Sequence, residues 1–159
     1  MATQDQNLSD FSFSGDCSDY LIGIVVSEWN YEITGNLLEG AKATLKKYGV
    51  SDDNVVVYHV PGTFELPLGC QNIISQNNLD GVIAIGSVIQ GETRHFDFVC
   101  EGATQGIMNV MLVTSTPISF CVLTDNTKQQ ALDRSGGKHG NKGDECAVAC
   151  LKMIAQGRG

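Results

Sequence analysis

Four short and almost uninterrupted apolar segments alternate along the chain with segments of helical hydrophobic spacing. The apolar segments are residues 20–26, 55–60, 81–88 and 118–123. Runs of this length and composition are typical of strands buried on both faces, as the strands of a parallel sheet are. No hairpin signal joins consecutive strands. The sequence therefore predicts an α/β fold, with a four-stranded parallel sheet covered by helices on both faces in three αβα layers.

The segments after each strand predict five helices. Apolar residues recur there three or four positions apart, which is the spacing of one buried helix face. Gly49 ends the first helix, and Pro61 and Gly62 end the second strand. A Gly-rich loop, residues 136–143, separates the last two helices. The predicted helices lie at residues 33–48, around Ile73 and Ile74, and at residues 96–111, 128–134 and 144–155.

The composition fits one domain and argues against several classes of protein. The chain has 159 residues, 42% of them hydrophobic, and a mean hydropathy of −0.03, so disorder is not expected. Eighteen acidic and ten basic side chains give a net charge of −8, which disfavours nucleic-acid and membrane-surface binding. The longest apolar runs are far shorter than the roughly 20 residues that span a bilayer. Seven of the ten basic residues follow residue 93, so cations for an anionic ligand are expected there.

The first 19 residues are polar and acidic, without the basic and apolar regions of a secretory signal. We expect a cytoplasmic protein in which residues 1–19 form an extended arm and residues 20–159 form a single domain. The six cysteines include no Cys-x-x-Cys pair and no histidine at zinc-ligand spacing, so no metal site is expected. We interpret Cys146 and Cys150, four apart in an apolar helix, as buried thiols that pack as small hydrophobic groups.

Aromatic and polar side chains follow the predicted strands at their carboxyl ends, where ligands bind in parallel sheets. Trp29 and Asn30 come after the first strand, and Phe64 and Glu65 come after the second. His95 follows the third strand, at the start of a helix. An aromatic pair beside hydrogen-bonding groups suits a flat heterocycle. The sequence therefore predicts a ligand site along this edge of the sheet.

The loop after the third strand suits an anion. Gly91, Glu92 and Thr93 lead directly into a helix N-terminus, where backbone N–H groups have no helical partner. The Gly-x4-Gly-Lys-Ser/Thr spacing of a Walker loop and the Gly-x-Gly-x-x-Gly dinucleotide motif are both absent. From the residues alone we expect a small anionic or phosphate-bearing ligand beside a flat ring.

Each candidate residue also has an ordinary structural interpretation. Trp29 could cap the core, and Phe64 could fill it. Glu65 could be a first-turn carboxylate that the helix dipole favours. At a helix start a neutral imidazole is expected, so His95 is suited to proton transfer, although a lone histidine is usually structural.

Five motifs, in order, resemble the lumazine synthase family from about residue 20 to residue 155. They are Ser-Glu-Trp-Asn (27–30), Pro-Gly-Thr-Phe-Glu-Leu-Pro (61–67), Gly-Ser-Val-Ile-Gln-Gly-Glu-Thr-Arg-His-Phe-Asp-Phe-Val (86–99), Phe-Cys-Val-Leu-Thr (120–124) and Gln-Ala-Leu-Asp-Arg-Ser-Gly-Gly-Lys-His-Gly-Asn-Lys-Gly (130–143). The resemblance implies a flavodoxin-like fold and a transferase of riboflavin biosynthesis that needs no metal or cofactor. Such an enzyme condenses 5-amino-6-ribitylamino-2,4-pyrimidinedione with 3,4-dihydroxy-2-butanone 4-phosphate to 6,7-dimethyl-8-ribityllumazine, releasing phosphate and water.

The resemblance also implies roles for residues of one subunit. His95 would move protons during imine formation and phosphate elimination. Gly91, Glu92 and Thr93 would bind the phosphate. The pyrimidine ring and the ribityl chain would contact the side chains or backbone of Trp29, Asn30, Phe64, Glu65, Ser87, Val88 and Ile89.

A neighbouring subunit would complete the site. The resemblance implies that Phe120 covers the ring, Arg134 pairs with the phosphate, and Lys138 and Lys142 add positive charge. The chain would then be an obligate homopentamer, with its arm added to a neighbour's sheet. The Gly-rich turn has no extra residues, which favours assembly of pentamers into an icosahedral shell. Riboflavin synthase is the further partner that this family suggests.

Three positions depart from the family pattern. Gln90 stands where many members have Arg or Lys, so one cation beside the phosphate loop is missing. Cys121 replaces a usual Gly, and Ser135 a usual Ala. The alternatives to an enzyme are a flavin- or lumazine-binding protein, a flavodoxin-like electron carrier and a purely structural shell protein. The presence of His95, Arg134 and Lys142 together favours the enzyme, because a binding protein would not need the phosphate-binding groups.

Overall fold

The computed structural model describes residues 6–159 and contains the predicted parallel sheet. Four strands lie in the order β2-β1-β3-β4, and every neighbouring pair is parallel. Because β1 lies between β2 and β3, the strand order reverses at β1, and a crevice forms at its carboxyl end. The strands are β1 (Ile22–Ser27), β2 (Val55–Val60), β3 (Gly81–Ile89) and β4 (Ile118–Asp125).

Helices cover both faces of the sheet, which confirms the three-layer αβα prediction. Side chains of α1 and α5 share one buried cluster with the sheet, and side chains of α2 and α3 share the other. Single turns of 3-10 helix, at Asp52–Asn54 and Thr63–Glu65, precede β2 and α2. The helices are α1 (Tyr31–Lys47), α2 (Leu66–Gln76), α3 (His95–Thr114), α4 (Lys128–Arg134) and α5 (Lys142–Gly157).

The alternation of side chains along the central strands explains why their sequences are apolar throughout. Ile22 and Ile24 of β1 enter the cluster beneath α1 and α5, whereas Val25 enters the cluster beneath α2 and α3. In β3, Ile83 and Val82 divide in the same way. Neither face of these strands meets water, so neither face can be polar.

The contact between α1 and α5 requires a glycine. A Cβ atom on Gly143 would collide with the carbonyl oxygen of Leu37 and would lie 3.0 Å from the backbone nitrogen of Ala41. Backbone atoms cannot move aside as a flexible side chain can. Gly143 therefore sets the distance between the two helices on that face of the sheet.

A short hairpin replaces the uniform loop expected between α4 and α5. The antiparallel strands β5 (Ser135–Gly137) and β6 (Gly140–Asn141) pair within the Gly-rich segment. Gly136 and Gly140 have φ angles of 103° and 87°, which L side chains rarely adopt. The backbone N–H of His139 donates to the Asp133 carbonyl at 2.9 Å, which ties the hairpin to α4.

Residues 6–19 contain no helix or strand and lie against their own subunit. The Leu8 N–H donates to the His139 carbonyl at 2.8 Å, and the Phe13 ring meets the Tyr48 ring edge-on at 6.1 Å. Addition of this arm to a neighbour's sheet, and a domain boundary after residue 19, stay predictions. Residues 1–5 of the predicted arm lie outside the described residues.

The cysteine thiols lie mostly in the core. All six are free, and Cys146 and Cys150 are buried, as expected for thiols that pack as small hydrophobic groups. Burial raises the pKa of Cys70 and Cys150 to about 12. Among residues 6–159 no group of three His, Cys, Asp or Glu side chains could hold a metal ion. Over the same range, no helix is both long and apolar enough for a membrane span.

Candidate active site

A cleft of about 640 Å³ lies at the carboxyl ends of β1, β2 and β3. The reversal of strand order at β1 explains its place, because the loops after β1 and β3 diverge to opposite faces of the sheet. Most residues predicted for one subunit's share of the site line this cleft. They are Trp29, Asn30, Phe64, Glu65, Ser87, Val88, Ile89, Gly91, Thr93 and His95.

Two aromatic rings form walls of the cleft. Trp29 is 70% exposed and Phe64 is 59% exposed, so neither ring caps or fills the core of this chain. The ring of Phe64 lies against α3, where a Cβ atom on Gly102 would come within 2.7 Å of it. Exposed aromatic faces on a rigid support can take the flat ring of a ligand.

Asn30 links the ends of β1 and β3. It has a left-handed backbone conformation, with φ 59° and ψ 41°, and its carbonyl accepts from the N–H groups of Ile33 and Thr34 at the start of α1. Its side-chain Nδ2 donates to the Ser87 carbonyl at 2.9 Å. Non-glycine residues in this conformation are uncommon and concentrate at functional sites. The structure thus fixes the Asn30 amide at the base of the cleft.

The base of the cleft contains polar groups that are shielded from water. The Ser87 hydroxyl is buried and has no hydrogen-bond partner within residues 6–159. Thr63 is buried beside it in the cleft lining. Because buried polar atoms are nearly always paired, the Ser87 hydroxyl is a candidate contact for a bound ligand.

The predicted anion loop joins the cleft to the N-terminus of α3. Gly91, Thr93 and His95 line the cleft and are exposed, and Glu92 is exposed in the same loop without lining it. The His95 N–H lies 3.4 Å from Thr93 Oγ1, and the loop ends on a helix of 20 residues. The positive end of the helix dipole therefore points towards this part of the cleft.

Sequence analysis missed the apolar lining that α3 contributes. Phe96, Phe98 and Val99 line the cleft together with His95. Phe98 and Val99 lie three and four residues after His95, so they share one helix face with it. That spacing is the signal that could have identified them. The guanidinium of Arg94 lies 5.7 Å from the centre of the Phe98 ring.

The four residues predicted to act in a neighbour's site lie away from this cleft. Phe120 lines a separate groove of about 870 Å³ beside β4. Arg134 ends α4, and its Nη1 donates to the Gln130 carbonyl at 3.3 Å. Lys138 is exposed, with its Nζ 3.5 Å from a carboxylate oxygen of Asp133.

Lys142 is the buried member of that group. Its ammonium donates to Glu145 Oε1 at 2.8 Å, and both side chains are almost inaccessible to water. Burial lowers the pKa of Lys142, but the hydrogen bond that Lys142 donates to Glu145 and the nearby negative groups outweigh it, so the pKa is raised overall. Lys142 stays positively charged inside the fold, where it is paired with a carboxylate in the first turn of α5.

Comparison with known proteins identifies the family of this chain. The family model described as 6,7-dimethyl-8-ribityllumazine synthase matches residues 19–158. Proteins named 6,7-dimethyl-8-ribityllumazine synthase from Phocaeicola vulgatus and Cytophaga hutchinsonii are 51% and 52% identical to this chain. These alignments cover 97% and 98% of this chain, and 93% and 99% of the relatives. The chain therefore belongs to the 6,7-dimethyl-8-ribityllumazine synthase family.

Proposed function

We propose that this chain condenses 5-amino-6-ribitylamino-2,4-pyrimidinedione with 3,4-dihydroxy-2-butanone 4-phosphate to form 6,7-dimethyl-8-ribityllumazine. The observation that carries the proposal is the cleft, in which the exposed rings of Trp29 and Phe64 adjoin the N-terminus of α3. A flat pyrimidine suits the rings, and a phosphate suits the helix end. Family membership and the identity to proteins named for this product support the same reaction.

The reaction requires alignment of two reactants more than a strong catalytic group. The primary amine of the pyrimidine attacks the ketone of the butanone, and loss of water gives an imine. Elimination of phosphate leaves a second carbonyl. Attack of the ribityl-bearing amine on that carbonyl, with loss of another water, closes the second ring and yields the lumazine. Holding the amine and the ketone in contact supplies most of the acceleration, and His95 carries protons between the reacting groups.

Residues of one subunit hold the pyrimidine and its ribityl chain. We assign the ring to Trp29 and the dione edge to the backbone of residues 87–89. We assign the ribityl hydroxyls to Asn30 and Glu65, with backbone contacts from Phe64. Support for this assignment is that these residues all line one cleft.

The phosphate is assigned to both sides of a subunit boundary. Gly91, Glu92 and Thr93 provide backbone N–H groups from one subunit. Arg134, with Lys138 close to it, provides cations from the next subunit, which also covers the ring with Phe120. In this proposal Lys142 acts from within the fold, because its ammonium is paired with Glu145.

A site shared in this way implies an obligate homo-oligomer, and we propose a homopentamer. Large apolar side chains on α3 support an interface, since Phe98, Leu112 and Val113 are 61%, 69% and 86% exposed. The short turn between Gly137 and Gly140 supports further assembly into an icosahedral shell. A cytoplasmic location and association with riboflavin synthase complete the proposal.

The test is direct. The purified chain is mixed with both substrates, and the lumazine is followed by its absorbance and fluorescence. We expect product only when the folded chain and both substrates are present. Formation at the rate of the uncatalysed mixture, with the substrates at saturation, would refute the enzyme and would favour a binding or shell protein. Sedimentation of the same sample measures the size of the assembly.

A further inference from the structure

Asp125, the last residue of β4, is a buried carboxylate beside Arg134. Its side chain is only 9% exposed, and its Oδ1 lies 3.9 Å from Arg134 Nη1. Its second oxygen, Oδ2, is buried without a hydrogen-bond partner among the described residues. A carboxylate in such surroundings is costly to bury, so its presence calls for a physical reason.

Asp125 lies between two parts of the proposed phosphate machinery that serve adjacent sites. One is the loop of its own subunit's site, and the other is the arginine that reaches the neighbouring subunit's site. Asp125 pairs with Ile89 in the β3–β4 register, and its carbonyl accepts from the Gln90 N–H at 2.9 Å. Gln90 immediately precedes the phosphate loop, and its Nε2 donates to the Gly91 carbonyl at 3.3 Å. The backbone of Asp125 therefore supports that loop, while its carboxylate faces Arg134.

Arg134 is held at one of its terminal nitrogens. Nη1 donates to the Gln130 carbonyl at 3.3 Å and lies on the side of Asp125, while the side chain remains 33% exposed. A guanidinium recognises phosphate best when its planar fork has a fixed orientation. A partner behind one nitrogen orients the fork and leaves its other N–H groups for an anion.

We propose that Asp125 is a positioning residue, which holds the Arg134 guanidinium in the orientation that meets the phosphate of the butanone substrate. This inference rests on the proposed function of Arg134. The carboxylate acts only through the arginine. It therefore influences the affinity for the phosphate-bearing substrate and does not change the affinity for the pyrimidine. The negative charge is the essential property, because a neutral side chain of the same shape cannot hold a cation as firmly.

The experiment compares Asp125→Asn with Asp52→Asn, which removes an exposed carboxylate that is paired with Lys46 outside the proposed site. We expect Asp125→Asn to raise the KM for the butanone phosphate by roughly three- to tenfold, as for a lost charged contact. We expect it to weaken binding of inorganic phosphate, measured by calorimetry, by a similar factor. The KM for the pyrimidine should stay within about twofold in Asp125→Asn, and both KM values should stay within about twofold in Asp52→Asn.

A double-variant comparison separates positioning from a structural effect. In an Arg134→Ala background, Asp125→Asn should cause no further loss, because the group through which it acts is absent. Equal increases in both KM values, or an undiminished effect in that background, would overturn the proposal. Asp125→Ser is the second variant, and unfolding of both by circular dichroism would assign Asp125 a structural role instead. A wild type that binds phosphate but forms no lumazine would refute the proposed function alone.

Discussion

His95 is the residue whose contribution can be isolated most cleanly. It is exposed at the first position of α3 and lines the cleft. We expect His95→Ala to lower kcat by roughly 10- to 100-fold, because a proton shuttle adds to an acceleration that alignment supplies for the most part. Steady-state assays with both substrates saturating measure it.

His59 provides the matched control for that variant. It is exposed on the edge strand β2, with its ring 6.3 Å from the ring of Tyr31 and outside the cleft lining. His59→Ala should keep wild-type kcat. An intact assembly without any activity in His95→Ala would show that the histidine does more than assist.

Arg134 is a second single residue whose substitution has a specific expected effect. We expect Arg134→Ala to raise the KM for the butanone phosphate by roughly 10- to 100-fold, because a charge-assisted phosphate contact is lost. The KM for the pyrimidine should change far less. Lys128→Ala on the same helix is the control, since its exposed ion pair with Glu32 contributes little. Equal effects of Arg134→Ala on the two KM values would contradict the phosphate role.

The charge of Asp125 also makes stability depend on pH. Burial raises the pKa of this carboxyl, and the charge of Arg134 lowers it by less, so the pKa is raised overall. The folded chain then holds this proton more tightly than the unfolded chain does. The group's contribution to stability is therefore complete at pH values below about 4 and is lost as pH rises through the folded pKa.

Asp125→Asn should remove that contribution to the pH dependence. We expect the Tm of the variant, relative to wild type, to rise as pH increases from about 4 to about 7. Thermal unfolding followed by circular dichroism at several pH values measures it. A difference that is constant over this range would show that the carboxyl titrates alike in both states.

Among the elements, α4 is short but carries Arg134, so its N-terminal cap matters. The Thr127 hydroxyl accepts from the Gln130 N–H at 3.2 Å, and the Gln130 side chain accepts from the Thr127 N–H at 3.2 Å. We expect Thr127→Ala to lower the free energy of unfolding by about 1 kcal/mol. The KM for the butanone phosphate should also rise, because the helix positions Arg134.

Denaturant unfolding measures the first effect, and substrate titration measures the second. Thr104→Ala is the control, because its hydroxyl is exposed within α3 and donates only to the Cys100 carbonyl. A destabilised Thr127→Ala chain with an unchanged KM would separate the stability of α4 from the position of Arg134.

The elements were predictable wherever one physical pattern dominated. The continuous apolar runs identified all four strands, and residues 55–60 and 128–134 match the structure end for end. The hairpin at Gly136 and Gly140 was not predictable from periodicity, because it depends on positive φ angles in a segment without an apolar pattern. The strand ends did not predict Phe98, because this cleft residue lies in the first turn of α3.

At the scale of the whole molecule, the sequence alone located one half of the candidate site. The cleft follows from strand order, so its residues could be predicted together. The position of Arg134 relative to a bound phosphate depends on how subunits meet, and no pattern within one chain determines that geometry. The family resemblance supplied this second half of the prediction.

Complementation between impaired variants, assayed at a butanone phosphate concentration near the wild-type KM, tests the shared site. Trp29→Ala removes the ring contact from one side, and Arg134→Ala removes the cation from the other. We expect coexpressed variants to regain activity, because some subunit boundaries in a mixed assembly combine an intact Trp29 with an intact Arg134. Assays of purified mixed assemblies measure it, with each variant alone as the control. Mixed assemblies no more active than the single variants would place both residues in one subunit's site.

The choice of an amide at position 30 has a chemical consequence. One N–H of the Asn30 side chain is committed to the Ser87 carbonyl, at 2.9 Å. An amide also has a second N–H and a carbonyl oxygen. Both can hydrogen-bond to a polyol, whose hydroxyls donate and accept hydrogen bonds. An aspartate of nearly identical shape would place a carboxylate oxygen against the Ser87 carbonyl oxygen. Their repulsion would weaken the link between the ends of β1 and β3. In the proposed function, the same side chain would connect the ends of β1 and β3 and would also hydrogen-bond to the ribityl hydroxyls.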